Sequence, residues 1–430
     1  MYKRHLVKQI TVGKKVTELS QQKKTPGEEP DKKSNTIIYN TPEKKPVRPA
    51  VTGNKALKKY ENVRASDNST SKAPENRPIR KLPENKVRED KVQEVKNKKT
   101  LGEKFADLFP KKEDPALEKI RKVVFMCSIV AIVVCGYMVG DYYIDLGKSK
   151  NLHEEIANIY EPYHPPKPVP NISTIYEPDY EREYSLLDGA KKLLDMNPDV
   201  VGYITIPDTP VANPVMQYTD NEKYLNQNIN GDTSRAGEIF LDYRNNFDKV
   251  SDRKLSVENS DNLVIYGHNM GNDTMFGCLK YYQRMSDYYT KHPVIYLNSN
   301  YECYTYKIFA YFILDAGDTS ETAYDCWNKF DFDDEEDFYR FVNEAKKRTL
   351  RTNNIDVEYG DKILTLSTCN PILGDRGRLI VMGRLLRDGE DALDGTDKNE
   401  QNTNIKWPSI YYEQKPNERY NPDAEFIPYG

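Results

Sequence analysis

An uninterrupted apolar run at residues 123–140, VVFMCSIVAIVVCGYMVG, limits how this 430-residue chain can fold more than any other segment. Its 18 residues carry no charge, and as a helix they are just long enough to cross a bilayer. A buried core helix is the alternative. The basic flank at 119–122 and the Asp-Tyr-Tyr segment at 141–143 favour a membrane span, because Tyr is enriched at membrane–water interfaces. The sequence therefore predicts a transmembrane helix at residues 123–143.

The distribution of charge predicts the orientation of that helix. Residues 1–122 carry 32 Lys and Arg against 17 Asp and Glu, a net charge of +15, whereas the rest of the chain carries −19. Positive charge stays on the cytoplasmic side, which places the acidic C-terminal part outside the cell. A cleavable signal peptide has its apolar region near the N-terminus, so a run that begins at residue 123 indicates an uncleaved signal-anchor. We expect a single-pass type II protein of the cell membrane.

Three further regions have compositions that do not predict a core. Residues 1–120 scatter Lys, Pro, Asn, Glu and Ser without an apolar period, which predicts a disordered basic cytoplasmic region. This region is either a solvated tail or an arm attracted to anionic headgroups or a cytoplasmic partner, and its interspersed acidic residues favour the tail. Residues 144–182, which include HPPKPVPN, predict an extended extracellular spacer stiffened by proline. Residues 389–430 predict a polar C-terminal tail or a strap that wraps around the fold.

Residues 183–388 carry the periodic patterns of a folded domain. Apolar residues from 186 to 194 form one helical stripe that ends at Asn197-Pro198, and a second helix is predicted at 334–350 with acidic residues in its first turn. Turn residues separate a series of short apolar runs, which we interpret as strands. These runs are 201–206, 238–243, 262–268, 293–298, 306–314, 362–369 and 378–386. The pattern predicts a mainly β fold, a closed barrel of about eight strands with peripheral helices.

Motifs for metals and nucleotides are missing from the sequence. There is no CxxC and no HExxH, and the five histidines, at positions 5, 153, 164, 268 and 292, are scattered over different segments. Neither GxGxxG nor GxxxxGK[ST] occurs. We therefore expect no metal site, no cofactor and no nucleic-acid partner.

The six cysteines offer few candidate nucleophiles. Cys127 and Cys135 lie in the apolar run and are interpreted as small apolar side chains. The other four could form two disulfides outside the cell, although their spacing does not decide a pairing. They are Cys278, Cys303, Cys326 and Cys369. For the first three we expect buried small hydrophobes, since free Cys is among the most buried residue types.

Cys369 differs from the other thiols in its surroundings. The apolar strand KILTLSTC delivers it to Asn370-Pro371, where the strand breaks. A buried Cys that closes a strand is one reading, and a rigidly placed, exposed nucleophile is the other. The nucleophile requires a nearby cation that lowers the pKa of the thiol and a partner that moves protons.

His268 and Arg378 could supply these two functions. His268 ends the apolar strand NLVIYGH, where the alternative is an ordinary strand-end histidine. Arg378 begins RLIVMGRLL, and Arg376 lies in the loop before it. A guanidinium can donate up to five N–H groups to the oxygen that becomes negative when a thiolate attacks a carbonyl. Its position at the start of a strand favours Arg378.

These three segments together resemble the sortases, membrane-anchored cysteine transpeptidases of Gram-positive bacteria. TLSTC at 365–369 resembles the family signature TLxTC, and RLIVMGRLL resembles the strand that carries the catalytic arginine. The resemblance covers about residues 183–388 and is closest to class B, whose pattern NPDVVGYITIPDTPVANPVMQ, DNEKYLNQN, AGEIFLDYRN and NLVIYGHNM follow. The two predicted helices are also similar to class B insertions. The chain departs from the pattern in the polar Ala212-Asn213, in the long N-terminal arm and in the C-terminal tail.

The resemblance implies both the chemistry and its partners. Cys369 would attack the carbonyl of the Thr in a C-terminal sorting motif of a secreted protein, and an amine of the peptidoglycan peptide or its lipid-linked precursor would resolve the thioacyl enzyme. His268 would move protons, and Arg378 would stabilise the oxyanion. The family pattern implies four substrate-contacting positions, which are Asn221, Leu225, Tyr266 and Ser367.

Two other functions fit the same residues. A surface cysteine peptidase would pass the acyl group to water, because acyl transfer and hydrolysis share their first half. A non-catalytic surface or assembly protein could be built on the same barrel and would tolerate loss of the Cys369 thiol. The joint presence of Cys369, His268 and Arg378 favours the enzyme.

Overall fold

The computed structural model describes residues 100–160, 178–320 and 323–430. Residues 1–99 of the predicted cytoplasmic region and residues 161–177 of the predicted spacer lie outside these residues. The prediction of disorder is wrong within residues 100–120, where one helix spans 101–106 and another begins at 116. The helices are α1 (Leu101–Ala106), α2 (Ala116–Ile159), α3 (Asp188–Met196), α4 (Lys280–Arg284), α5 (Tyr288–Lys291), α6 (Glu335–Arg348) and α7 (Ser409–Gln414). The strands are β1 (Val200–Thr205), β2 (Ala212–Met216), β3 (Ile239–Leu241), β4 (Val250–Ser251), β5 (Lys254–Leu255), β6 (Asn262–Tyr266), β7 (Val294–Ser299), β8 (Cys303–Asp315), β9 (Arg351–Thr352), β10 (Ile363–Cys369), β11 (Gly377–Leu385) and β12 (Glu400–Gln401).

Eight of these strands close into a barrel in the order β1-β2-β3-β6-β10-β11-β8-β7. The pairs β2–β3 and β6–β10 are parallel, and the other neighbours are antiparallel. The predicted closed barrel with peripheral helices is confirmed, and each of the seven strand-like runs overlaps one barrel strand. The eighth strand, β2, includes the Ala212-Asn213 pair that departs from an apolar pattern. It pairs with β1 and β3, and the buried Asn213 accepts at Oδ1 from the Ala212 N–H at 3.1 Å.

Alternation along the strands separates an inner core from two outer clusters. Inward side chains of all eight strands, such as Leu364 and Leu366 of β10, fill the barrel. Helix α6 covers the outward side of β8, β10 and β11. Helix α3 and the end of α2 cover the outward side of β1, β2 and β3. The helices predicted around 186–194 and at 334–350 are therefore α3 and α6, each placed by one apolar face.

Helix α2 extends through and beyond the predicted transmembrane run. Its most apolar 18-residue window is 0% buried by the rest of the protein, so by length and composition the helix could cross a membrane. The helix then continues to Ile159, so the prediction of an extended spacer is wrong for residues 144–159. The stripe of buried residues at the helical spacing 146, 149, 153 and 156 explains this result. Contact with the barrel stabilises a helix that composition alone did not predict.

Residues 389–430, predicted as a polar tail or a strap, form an ordered strap over the barrel. Within this C-terminal strap β12 pairs with β9, and Tyr411 of α7 is buried against the core cluster that fills the barrel. The Tyr429 hydroxyl donates to the Ile355 carbonyl at 3.2 Å, and its ring packs against Phe309. The prediction of a tail is corrected, because scattered aromatic side chains rather than a regular apolar period attach this segment.

A buried ionic cluster fastens the start of the strap to the barrel. Arg384 of β11 is fully buried, and its guanidinium donates to both carboxylate oxygens of Glu390, at 2.5 and 2.6 Å. Lys307 of β8 donates to the same carboxylate at 2.7 Å. Burial works to raise the pKa of Glu390, but the hydrogen bonds from Arg384 and Lys307 outweigh it and lower that pKa to about 2. Glu390 is therefore a counter-ion of two buried cations, and Asp356 also pairs with Arg384, at 3.0 Å.

We expect Glu390→Gln to lower the free energy of unfolding by roughly 3–5 kcal/mol, because within the described residues Glu390 is the only carboxylate in ion-pair contact with the buried Lys307 and is one of the carboxylates around Arg384. Denaturant titration of the full chain in micelles measures this loss through the fluorescence of Trp327 and Trp407. The folded-state pKa of Glu390 is lowered, so its contribution is present above the ordinary carboxyl range and is lost as the pH falls towards about 2. The difference in the free energy of unfolding between the wild-type protein and Glu390→Gln should therefore become smaller as the pH falls towards about 2. The matched control is Glu400→Gln on the exposed part of the strap, which should change stability by about 0–1 kcal/mol.

Candidate active site

Three neighbouring strands bring Cys369, His268 and Arg378 to one end of the barrel. In the parallel pair β6–β10, Tyr266 lies opposite Ser367, and the Gly267 N–H donates to the Ser367 carbonyl at 3.2 Å. His268 thus follows β6 at the level where Cys369 ends β10. In the antiparallel pair β10–β11, Cys369 lies opposite Arg378.

The same register directs these side chains to the outer face of the barrel. Residues two apart on a strand share a face. Leu364 and Leu366 of β10 point into the core, whereas Ile380 of β11 belongs to the outer cluster under α6. Cys369 is an odd number of residues from Leu364 and Leu366 and therefore points outward. Arg378 is two residues from Ile380 and therefore also points outward. Cys369 is exposed, while His268 and Arg378 are half-buried.

One hydrogen bond orients the imidazole of His268. Its Nε2 lies 2.9 Å from the carbonyl oxygen of Leu225. A carbonyl can only accept, so Nε2 carries the proton and Nδ1 is left for proton exchange when the ring is neutral. The turn that presents Leu225 depends on Gly237, whose φ is +54° and at which a Cβ would lie 2.3 Å from the Tyr224 carbonyl oxygen. No other residue type fits that approach.

Among the described residues, Arg376 is paired with a carboxylate, whereas Arg378 is not. Nη1 of Arg378 donates to the carbonyls of Asp375 and Gly377 at 2.8 and 2.9 Å, and within the described ranges no carboxylate lies in ion-pair contact with it. Arg376 makes a bidentate contact with Asp315. The geometry favours Arg378 over Arg376 as the donor to an oxyanion, which is the choice that strand position predicted.

The loop after Cys369 is fixed by asparagine side chains. Asn269 donates to the Cys369 carbonyl at 2.8 Å, which joins the histidine loop to the end of β10. The Asn370 side chain accepts from the Ile372 N–H at 3.0 Å and donates to Gln283 at 2.8 Å. The thiol is therefore held by an ordered backbone on both sides.

The four predicted substrate-contacting residues lie beside the three strand ends. Asn221 and Tyr266 both donate to Oδ2 of Asp242, at 2.8 and 3.0 Å. Ser367 lies opposite Tyr266 in the register, and Leu225 carries the acceptor of His268. The structure thus brings all four to the same region of the barrel surface.

Sequence reasoning missed the residues that organise this region. Arg244 forms two hydrogen bonds of 2.9 Å with the Asp242 carboxylate, and the Trp327 indole donates to the Ser367 hydroxyl at 3.0 Å. Burial works to raise the pKa of Asp242, but the bonds from Arg244 and Asn221 prevail and lower it. An Asp and an Arg two residues apart at the end of the strand EIFLDYR were the available signal.

The remaining thiols are free and poorly suited to nucleophilic attack. Cys278 and Cys326 are buried, and burial raises the pKa of each. Burial, followed by the Glu302 carboxylate, raises the pKa of Cys303 to about 12. Among the described residues no three His, Cys, Asp or Glu side chains cluster in a way that could hold a metal ion.

The chain is similar to known proteins over the residues that form the barrel. A family model described as the Sortase domain matches residues 204–386. Sortase B of Listeria monocytogenes is 33% identical over 201 residues, which cover 46% of this chain and 74% of that protein.

The chain belongs to the sortase family. This sortase is also 24% identical to sortase B of Staphylococcus aureus over 272 residues, which cover 63% of this chain and 98% of that protein. The crystal structure of sortase B from B. anthracis in complex with AAEK1 is 28% identical, covers 57% of this chain and 99% of its own, and has a TM-score of 0.44. The resemblance to the sortases that the sequence showed is confirmed.

Differences in burial predict which thiol of this sortase reacts. At neutral pH, in micelles, an alkylating reagent should modify Cys369 well before Cys278, Cys303 or Cys326, because only Cys369 of these four is exposed. Mass mapping of peptides after timed quenching measures the order. Equal labelling of Cys278 and Cys369 would contradict the burial described here.

Proposed function

We propose that this sortase is a class B-like cysteine transpeptidase that joins secreted proteins to a cell-wall peptide amine through a thioacyl intermediate on Cys369. The observation that carries the proposal is the level arrangement of Cys369, His268 and Arg378 on three adjacent strand ends. A nucleophile, a proton carrier and an oxyanion donor are the three groups that acyl transfer requires.

The first half-reaction forms the thioacyl enzyme. The Cys369 thiolate adds to the carbonyl carbon of the Thr in a C-terminal sorting motif. The resulting oxyanion accepts from the N–H groups of Arg378. When the C–N bond breaks, His268 in its protonated form gives a proton to the leaving amine.

The second half-reaction uses the same groups in reverse. An amine of the peptidoglycan peptide or of its lipid-linked precursor attacks the thioester carbonyl. Neutral His268 accepts the proton of that amine, and the Cys369 thiolate leaves. The Asn221, Leu225, Tyr266 and Ser367 surface would hold the motif extended, with Asp242 and Arg244 fixing the shape of that surface.

The location proposed for this reaction is the outer face of the cell membrane. The single candidate span within the described residues and the basic charge of residues 1–122 support a type II topology. Secreted substrates and lipid-linked wall precursors meet on that face.

Product analysis tests the transpeptidase. The full chain in micelles is incubated with a library of short sorting peptides, with and without an amine nucleophile, and both the adduct and the products are identified by mass. We expect an adduct on Cys369 and an amide product when amine is present. Release of only the free acid at every amine concentration would instead establish a peptidase. Cys369→Ala should abolish the adduct, and Cys303→Ala, the matched change at a half-buried thiol, should preserve it.

Substitution of the arginine tests the oxyanion role. Arg378→Ala should lower kcat by roughly 10²–10³-fold, because loss of one preorganised oxyanion donor has an effect of that size. Steady-state kinetics with the best sorting peptide measure this change. Arg376→Lys is the control, since that cation pairs with Asp315 away from the reacting carbonyl. A fall of similar size in both variants would contradict a special role of Arg378.

A further inference from the structure

The part of α2 that follows the apolar run packs along the barrel of this sortase. We call residues 141–159 the juxtamembrane segment. Its Leu146 is buried in the barrel core cluster, and Ile156 is buried with the outer cluster on β1 and β3. At its beginning, Arg235 donates to Asp141 at 2.7 Å, and the Arg235 N–H donates to Asp145 at 3.2 Å. The segment is therefore part of the folded domain.

A buried ion pair lies in the middle of this contact. His153 Nε2 is 2.9 Å from Oε2 of Glu238, and its Nδ1 is 2.6 Å from the Ser149 carbonyl oxygen. The Ser149 carbonyl only accepts, so Nδ1 carries a proton; in the protonated ring Nε2 also donates, to the Glu238 carboxylate. His153 is 7% exposed and Glu238 is fully buried. Burial works to lower the pKa of His153, but the Glu238 carboxylate and the Ser149 carbonyl raise it above its ordinary value.

Stability alone does not explain why two charges are buried here. The desolvation penalty of a buried pair can cancel its Coulomb attraction, so such a pair is a weak source of stability. The hydrogen bonds of Glu238 to its other neighbours indicate what the pair does. Glu238 Oε1 accepts from the Ile229 N–H at 2.9 Å, and the Glu238 N–H donates to the Tyr224 carbonyl at 2.9 Å.

These contacts lead from the helix to the candidate catalytic histidine. Tyr224 directly precedes Leu225, whose carbonyl accepts from His268 Nε2. Three hydrogen bonds, His153 to Glu238, Glu238 to Tyr224 and His268 to Leu225, thus connect the juxtamembrane segment to the imidazole. Each is 2.9 Å long.

We propose that His153 is a positioning residue for the sortase reaction. As the counter-ion of Glu238, it holds residues 223–238 so that the Leu225 carbonyl fixes the tautomer and orientation of His268. The inference rests on the proposed role of His268 in proton transfer. The juxtamembrane segment is then a working part of the active site in addition to its role as an anchor.

Substitution in the full chain, in micelles, tests this role. His153→Leu leaves Glu238 unpaired, and we expect kcat for amide formation to fall on the order of 10–100-fold, since a misplacement of about 1 Å can cost about 10²-fold. KM for the sorting peptide should rise by a smaller factor than kcat falls, because Leu225 is the only one of the four proposed substrate-contacting residues within the segment 223–238 that His153 holds. His292→Leu is the matched control. That histidine donates through Nδ1 to the Pro207 carbonyl and has no link to His268.

A second readout does not depend on catalysis. The rate of Cys369 alkylation against pH reports the ionisation of the thiol and of its neighbouring imidazole. We expect the profile to shift in His153→Leu and to stay unchanged in His292→Leu. If His153→Leu fails to fold, the double variant His153→Gln with Glu238→Gln restores a neutral pair, and it should recover folding with part of the activity.

The outcomes separate the two proposals. If the wild-type protein forms no thioacyl adduct with any peptide, the proposed function is wrong. The alkylation profiles still test the link between His153 and His268 in that case. An active wild-type protein with unchanged kcat and an unchanged alkylation profile in folded His153→Leu overturns the positioning role. Equal losses in His153→Leu and His292→Leu also overturn it, because they indicate general destabilisation.

Discussion

The parallel pairing of β6 with β10 is the contact on which the arrangement of the site depends. It places the end of the histidine strand level with the end of the cysteine strand, and the antiparallel pair β10–β11 adds the arginine. Side chains alternate with a period of two, so a slip of one residue would turn Cys369 into the core and expose Leu366. The apolar inward residues that fill the barrel therefore fix the chemistry of the outer face.

Much of this arrangement was predictable from sequence. The runs before Cys369 and His268 and after Arg378 are strongly apolar, and chain breakers follow the first, so the ends of the strands could be read directly. The adjacency of β6, β10 and β11 could not be derived from those runs, because strand order is set by long-range pairing. The resemblance to the sortases implied that the three side chains act together, and it gave no strand order. Asp242 and Arg244 escaped notice since their importance comes from a hydrogen-bond network that joins distant segments.

Two segments that the sequence does not assign correctly share a physical cause. Residues 144–159 are predicted as an extended spacer and residues 389–430 as a polar tail or a strap, because neither shows a strong apolar face of its own. Both are ordered by contact with a barrel that already exists. In α2 four buried positions suffice, and two of them, Ser149 and His153, are polar. In the strap, Tyr411, Tyr429 and the Glu390 carboxylate make the attachment. Composition cannot show a polar side chain whose partner lies 85 residues away, as Glu238 does from His153.

The unbroken course of α2 has a mechanical consequence. A flexible tether of some 40 residues would let the nucleophile wander through a volume with a radius of about 35 Å above its anchor point. A helix that passes from the apolar run directly into the barrel removes that freedom, because helical residues rise by a fixed step of about 1.5 Å each. In the proposed topology, insertion of α2 in a bilayer would therefore restrict the height of Cys369 above the membrane. For the membrane-linked acceptor proposed above, the encounter would then depend on lateral diffusion in two dimensions and not on the movement of a flexible tether.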